Sequence, residues 1–329
     1  MNLNQLRNQF PNESACRQFF ESIRWPSGRI CPHCGHNKSW TIKSVVDRPQ
    51  RYECSDCHRQ FTVTTKTPLH STKLSLWTWL LAMYLISTSS KGIASTILAG
   101  LIGTTQPTAW KIGHCIRKMM ASSQEGSPLL QGIVELDEKY FGGKPPIVEG
   151  KPNKRGKGTS KQPLLIAVER NGPARAEPIN SEKVSDLQPI IDRTLCKSSH
   201  LMSDEHLSHM CLGKQFAAHS HVNHSRHEFS RNKVHSNTAE SFSSMLERGR
   251  IGVFHKFSLQ HLKRYLSEFE FRWEHRVPTE VYDAKRAKKK TVMKKIPVMD
   301  MLALMVSGAS GCGLRRTRSW GLADATFNL

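Results

Sequence analysis

Two Cys-x-x-Cys pairs near the amino terminus constrain the fold of this chain more than any other sequence feature. Cys31 and Cys34 form the first pair, and Cys54 and Cys57 follow after 19 intervening residues. Two such knuckles at this distance are typical of a zinc ribbon, in which four thiolates surround one Zn²⁺ and close the site. Separate core cysteines are the alternative, but they would not explain two identical spacings. We therefore predict a structural zinc site that organises residues 27–66.

The remaining cysteine chemistry points to a reducing compartment. The chain has nine cysteines, and in a cytosolic protein metal binding explains them better than disulfides do. A redox role for either pair is disfavoured because no βαβ pattern surrounds them. The first residues, Met1-Asn2-Leu3-Asn4-Gln5, lack the basic head and apolar middle of a signal peptide. These features predict a cytoplasmic, nucleoid-associated protein.

The charge balance indicates the class of partner. Lysine and arginine number 48 against 27 acids, which gives a formal net charge of +21 and an isoelectric point near 9.8. A basic excess of this size favours a polyanion such as nucleic acid. A membrane partner is the weaker alternative, since no apolar run reaches the roughly 18 residues that a spanning helix needs.

Three acids occur in settings that suit metal-dependent chemistry. Asp137 lies in a strand-like run closed by two glycines, Asp204 follows the apolar-leaning run 200–203, and Glu240 begins a helical pattern. Carboxylates on two strands and a helix can converge on paired divalent metals that clamp the attacking and leaving oxygens of a phosphodiester. Taken singly, an acid at a strand end or a helix start is more often a turn or capping residue.

The sequence around these acids resembles the acid motifs of DDE transposases, and it is similar to the zinc-ribbon insertion-sequence group, the ISXO-like transposases, from about Asn2 to Arg276. The resemblance implies a ribonuclease H-like core and two Mg²⁺ ions, with Mn²⁺ as a substitute. It also implies cutting and joining of double-stranded DNA at element ends and target by a homo-oligomer on DNA. The motifs that carry the resemblance are Val134-Glu135-Leu136-Asp137-Glu138 with Gly142-Gly143-Lys144, then Asp204-Glu205, then His235-Ser236-Asn237-Thr238-Ala239-Glu240-Ser241-Phe242.

On this resemblance Asp137, Asp204 and Glu240 are the expected catalytic residues and magnesium ligands. The third ligand has an alternative, because Asn237 lies one helical turn before Glu240. Asn237 would be either a ligand itself or the N-cap of the helix. We favour Glu240, because a carboxylate binds Mg²⁺ better than an amide does.

The order of elements predicts an α/β chain, with an α+β mixed sheet in its core. Apolar spacing predicts helices over 74–86, 93–101 and 107–119, and the short turn 103–105 makes the last two a helix-turn-helix pattern, although plain helical hairpins share it. The core pattern reads as three strands, a helix, a fourth strand and a closing helix. The expected regions are a helical segment 1–26, a zinc ribbon 27–66, a helix-turn-helix region 70–125, a ribonuclease H-like domain 130–276 and a basic tail 277–329.

Basic side chains spread over these regions are the predicted DNA contacts, with a solvated basic face as the alternative. The histidines between 216 and 235 are predicted to form an ordinary loop near DNA, because they lack fixed ligand spacing. The predicted DNA-binding residues are Arg51, Arg59, Lys111, Arg117, Lys154, Arg155, Lys157 and Arg248.

Two functions remain compatible with the sequence: a transposase, and a catalytically impaired or domesticated zinc-ribbon DNA-binding protein. The presence of all three acids favours the transposase. Two departures from the family favour the alternative, since His206 and His209 stand where aromatic residues are usual and Glu247 stands where a lysine is usual. We therefore predict a transposase of weak activity.

Overall fold

The computed structural model describes residues 1–43, 50–143, 159, 161–222, 234–283, 288–317 and 321–326. The chain forms two compact units, one made of Met1–Glu125 with Ile296–Leu329 and the other of Gly126–Lys295. Within the described ranges, no helix has the length and apolarity needed to cross a membrane. The predicted DNA contacts Lys154, Arg155 and Lys157 lie outside the described residues.

Helices and strands alternate irregularly along the chain, and a π-helical segment, Arg250–Phe254, and a 3₁₀ turn, Leu259–His261, follow the eighth helix. The elements are α1 Leu3–Gln9, α2 Glu13–Arg24, β1 Ser39–Ile42, β2 Arg51–Cys54, β3 Gln60–Phe61, α3 Leu76–Thr88, α4 Ser95–Ile102, α5 Gln106–Ser122, β4 Ile133–Phe141, β5 Gln162–Glu169, β6 Ala174–Pro178, α6 Val184–Thr194, β7 His200–Ser203, α7 Leu207–Gly213, β8 Ala218–His221, α8 Asn237–Gly249, α9 Leu262–Glu274, β9 Arg276–Asp283, β10 Lys288–Lys295, α10 Val298–Ser307, β11 Cys312–Arg316 and β12 Leu322–Thr326.

The strands β1, β2 and β3 form a small antiparallel sheet that packs against the end of α2. Trp25, which follows α2, meets Tyr52 and Phe61 edge-on, with both ring-centroid distances at 5.9 Å. All three rings are at least nine-tenths buried. The ribbon therefore has an apolar neighbour in α2, which the sequence analysis treated as a separate segment.

The two predicted helices with a short turn between them are present as α4 and α5, and their role as a DNA-binding helix-turn-helix stays a prediction. Gly103 adopts the left-handed conformation with φ 66°, which lets the chain reverse in three residues between the helices. The first turn of α5 is exposed, whereas its second half is almost fully buried. Arg117 lies in that half and is only 4% exposed. The prediction of Arg117 as a DNA contact is therefore wrong, because a buried guanidinium does not reach a phosphate.

The second unit is built on a five-stranded mixed sheet of order β6-β5-β4-β7-β8. The strands β4, β5 and β6 pair antiparallel, and β7 and β8 continue from β4 in parallel. Alternate residues of β4 face different cores, with Val134 and Leu136 towards α6 and Phe141 towards α8 and α9. This order, with α6 between β6 and β7, is the ribonuclease H-like fold that the resemblance implied.

The second unit contains two elements that the predicted order lacks. The structure adds α7 after the fourth strand, ahead of the predicted histidine-rich loop, and adds the edge strand β8 within that loop. The β8 sequence, Ala218-His219-Ser220-His221, has only partly buried or exposed side chains. It lacks apolar alternation because it lies at the edge of the sheet, so sequence periodicity does not reveal it.

The predicted basic tail divides between the two units. Residues 276–283 and 288–295 pair antiparallel as β9 and β10 in the second unit, whereas 296–329 belong to the first. The predicted short apolar helix near Met299–Met305 is confirmed as α10, whose Met301, Leu302 and Met305 are fully buried.

Candidate active site and metal centre

The four predicted zinc ligands converge in the ribbon. Cys31 Sγ lies 3.7 Å from Cys57 Sγ, and Cys34 Sγ lies 3.5 Å from Cys54 Sγ. All four sulfur atoms fall within 4.8 Å of one another. A tetrahedral zinc with Zn–S bonds of about 2.3 Å separates its sulfur ligands by about 3.8 Å. The cysteine cluster therefore fits one structural Zn²⁺.

The register between β4 and β7 brings the first two acids together. Glu135 is level with Met202 in this parallel pair, so two residues further on Asp137 is level with Asp204, which directly follows β7. Both side chains are partly buried. Parallel strands in this register carry the two carboxylates to the same end of adjacent strands.

The third acid comes from α8, which packs on β4 and β5. Glu240 is exposed in the first turn of this helix. The pKa of Asp137 is raised to about 6, first by burial and then by the negative charges of Glu138, Asp204 and Glu240. The three predicted acids thus share one electrostatic environment, in which a bound cation would be favoured.

Asn237 is the first residue of α8 and is exposed. The N-cap position belongs to Ser236, so the alternative reading of Asn237 as the N-cap is wrong. Asn237 and Glu240 are both exposed in the same helical turn. The role of Asn237 as a metal ligand stays a prediction.

The buried side chain of His209 connects Asp204 with Glu138 of β4. His209 Nδ1 lies 2.8 Å from Asp204 Oδ1, and its Nε2 lies 2.6 Å from Glu138 Oε1. Burial by itself would lower the pKa of His209, but the two carboxylates raise it to about 9. The same contact lowers the pKa of Asp204 against the effect of burial.

These three side chains bring their ligand atoms within 4.8 Å of one another. They do not form a good metal site, because carboxylates occupy both ring nitrogens of His209 and leave it no lone pair for a metal. His209 instead holds Asp204 in one orientation. In the sequence, His209 is recognisable only as a histidine at a position where an aromatic residue is usual.

The buried acid Glu135 fixes α8 against the sheet. The fully buried carboxylate of Glu135 accepts hydrogen bonds from Thr238 N at 2.6 Å and Ala239 N at 3.0 Å, in the first turn of α8. Arg170 Nε donates to the same carboxylate at 2.6 Å, and its guanidinium also donates to the carbonyl of His235 at 3.0 Å. The Glu135–Arg170 ion pair therefore joins β4, the end of β5 and the start of α8.

Sequence reasoning missed Glu135, although a signal was present. An acid two residues before Asp137 lies on the same face of the strand, where the strand pattern otherwise demands burial. A carboxylate buried at a helix N-terminus satisfies free amide groups and interacts favourably with the helix dipole. Its position predicts that Glu135 sets where Glu240 stands relative to Asp137.

Replacing Glu135 by glutamine should destabilise the second unit. The amide would keep the volume but lose the charge that balances Arg170, so we expect a loss of about 2–4 kcal/mol in the free energy of unfolding. Chemical denaturation of the full chain measures this loss, and amide hydrogen exchange should accelerate most in the first turn of α8. The matched control is Glu280→Gln, in an exposed ion pair with Lys289, which should cost below about 0.5 kcal/mol. Equal unfolding midpoints for the two variants would contradict the assignment.

The remaining predicted DNA contacts lie at the surface of their units. Arg59 is exposed, Lys111 is half-buried on α5, and Arg51 is half-buried and donates to Gln60. Arg248 is exposed and lines a cleft of about 420 Å³ together with Asn237. These positions leave the four side chains available to a phosphate, and their role as DNA contacts stays a prediction.

Two regions of the chain match models of known domains. Residues 129–274 match the ISXO2-like transposase domain, and residues 11–60 match the transposase zinc-ribbon domain. The matched zinc-ribbon region includes α2, in keeping with the packing of Trp25 on the ribbon. No curated protein matches the chain.

Solved transposase structures show a limited similarity. The "Mos1 transposase paired-end complex with left transposon end" is 14% identical over 55% of this chain and 69% of that chain, with a TM-score of 0.26. The "Crystal structure of the Mos1 Strand Transfer Complex" is also 14% identical, over 55% of this chain and 68% of that chain, with a TM-score of 0.27.

Proposed function

This chain carries the zinc-ribbon and ISXO2-like domains of a zinc-ribbon DDE transposase, and from this premise we propose that it cuts and joins insertion-sequence ends by metal-dependent hydrolysis and strand transfer. Its proposed partners are double-stranded DNA, at the element ends and the target, and further copies of the chain. The proposed place of action is the nucleoid.

One observation carries the proposal: the matched domain has Asp137 and Asp204 level on adjacent parallel strands, with Glu240 on the helix that packs beside them. We propose that these acids hold two Mg²⁺ ions, which would supply Lewis-acid stabilisation of the attacking and leaving oxygens. The chain's own contribution is orientation. His209 holds the Asp204 carboxylate, and Glu135 holds the start of α8.

The experiment uses the full chain and a DNA fragment that contains its gene with both flanks, because the end sequences are read from the cleavage products. With Mg²⁺ we expect strand cleavage at two inverted sequences that flank the gene, and joining of the new 3′ ends to a second duplex. Chelation of the metal should abolish both. Tight DNA binding without cleavage in Mg²⁺ or Mn²⁺ would overturn the proposal in favour of a DNA-binding protein that has lost its chemistry.

The alternative function rests on Glu247, where the family has a lysine. Glu247 and Glu240 are seven residues, about two turns, apart and share a helix face. In the structure Arg250 Nε donates to the Glu247 carboxylate at 3.1 Å, and this pairing lowers the pKa of Glu247. The charges of Lys139 and Lys161 lower it further. The negative charge of Glu247 is therefore largely offset, by Arg250 rather than by Arg248.

Replacing Glu247 by lysine should strengthen end binding and raise strand transfer. The change adds one cation and releases Arg250 from its carboxylate partner, so we expect the slope of log affinity against log salt to steepen by about one to two units. The control Glu247→Gln releases Arg250 without adding a cation and should steepen the slope by about one unit or less. Parallel slopes for all three proteins would mean that this helix face does not meet the DNA.

A further inference from the structure

The hairpin of β9 and β10 follows the matched transposase domain in the sequence, since that domain ends at residue 274. Both strands are mostly exposed along their length. A two-stranded hairpin without packed faces is only marginally stable in water. The length of this ribbon, eight residues in each strand, therefore suggests that an external partner stabilises it.

The two faces of the ribbon differ in how their cations are paired. Cross-strand register and alternation place Lys288, Lys290 and Lys294 on one face, which we call the lysine face, and place Asp283 directly opposite Lys288 on that face. All three are exposed, and among the described residues none of them forms an ion pair. On the opposite face Lys289 Nζ lies 3.2 Å from Glu280 Oε2, and Met293 lines the cleft beside α8.

The composition of the ribbon is strongly basic. Residues 276–295 contain eight lysine and arginine residues and two acids, which gives a net charge of 8 − 2 = +6. Three lysines and one acid leave an excess of positive charge on the lysine face, and this excess is stabilised when phosphates lie along it. An acidic polymer is therefore the complementary partner.

We propose that the lysine face is a DNA-binding surface that lies along the backbone of a duplex and contacts its phosphates without regard to sequence. The choice of DNA as the polyanion rests on the proposed function. A strand of eight residues spans about 27 Å, which equals about eight base-pair steps of 3.4 Å. A two-stranded ribbon also fits the width of the major groove. Lysines act as point charges and bind phosphate without reading bases.

The test compares the full chain with the triple variant Lys288→Ala, Lys290→Ala, Lys294→Ala in binding to a duplex of about 30 base pairs of arbitrary sequence. Each phosphate contact contributes about 0.9 to the slope of log affinity against log salt. We therefore expect the slope to fall by about two to three units and the affinity at low salt to fall at least tenfold. Circular dichroism should be unchanged, because the three side chains are exposed.

Two controls separate a contact from a general charge effect. Replacing the same three lysines by arginine should preserve both slope and affinity. Replacing Lys183, Lys197 and Lys214 by alanine removes the same charge from other exposed sites of the second unit and should change the slope by less than about one unit. An equal loss in both alanine triples would reduce the proposal to net charge and overturn it.

Two further outcomes have distinct meanings. An unchanged salt slope together with a changed oligomeric state would overturn the proposal, since the ribbon would then contact a second copy of the chain. If the chain binds duplex DNA through the lysine face but does not cleave it with any divalent metal, the ribbon proposal stands and the proposed chemistry fails.

Discussion

Replacing Asp137 or Asp204 by asparagine is expected to reduce metal-dependent cleavage of the gene-flanking DNA by at least about 10³-fold, because the loss of one carboxylate removes electrostatic stabilisation at the reacting phosphate. Asparagine keeps the volume of aspartate, so the sheet should persist. Affinity for the DNA ends should change less than about threefold, because surface cations rather than the acids supply phosphate contacts. Cleavage of labelled DNA and equilibrium binding measure the two effects separately.

A matched pair of variants identifies the third ligand. Glu240→Gln should lose cleavage to the same extent as Asp137→Asn, whereas Asn237→Ala should retain most of it, since a carboxylate binds Mg²⁺ better than an amide. Glu274→Gln serves as the control for charge, because Glu274 pairs with Arg175 at 3.0 Å on the far end of α9. An active Glu240→Gln protein together with an inactive Asn237→Ala protein would move the ligand role to Asn237.

Loss of zinc is expected to unfold the ribbon while the helices of the first unit persist. The ribbon has only three short strands, β1 to β3, around its four clustered cysteines, and structural zinc in comparable modules contributes about 10 kcal/mol or more of folding free energy. Chelation, or Cys54→Ser, should lower the zinc content from one ion per chain to none. Amide exchange in β1 and β2 should then become fast, while α3 and α5 stay protected.

The control for the zinc experiment is Cys211→Ser, which changes an exposed cysteine outside the cluster. It should keep one zinc per chain and a protected ribbon. The packing of Trp25 on Tyr52 and Phe61 offers an alternative source of stability. Retention of exchange protection in β1 and β2 after complete removal of zinc would mean that these aromatic contacts, and not the metal, hold the ribbon.

Features that depend on local spacing were accessible from the sequence. Two Cys-x-x-Cys knuckles predict their cluster because a knuckle positions its own two thiolates, and a metal needs only the second pair nearby. Gly103 predicts the turn between α4 and α5 because few residues other than glycine adopt its left-handed conformation. The run of β-branched and aromatic residues in β4, closed by two glycines, predicts a strand, which carries Asp137 into the sheet.

Features that depend on contacts between distant segments required the tertiary structure. Arg117 reads as a surface cation in its helix, yet it is buried. Glu135 and Arg170 are ordinary charges 35 positions apart until β4 and β5 pair, and only then do they meet at the start of α8. His209 reads as a departure from the family pattern, and its contacts with Glu138 and Asp204 exist only after α7 folds back on the sheet.

The sequence by itself determined which residue types are available for chemistry: four thiolates at ribbon spacing, three acids in strand and helix settings, and a basic excess suited to DNA. Only the tertiary structure decided how those acids are held, which cations remain exposed, and that 276–283 and 288–295 pair as a ribbon with three exposed lysines on one face. The physical reason is range. Spacing and propensity act over a few residues, whereas burial and ion pairing depend on the register of strands that are far apart in the chain.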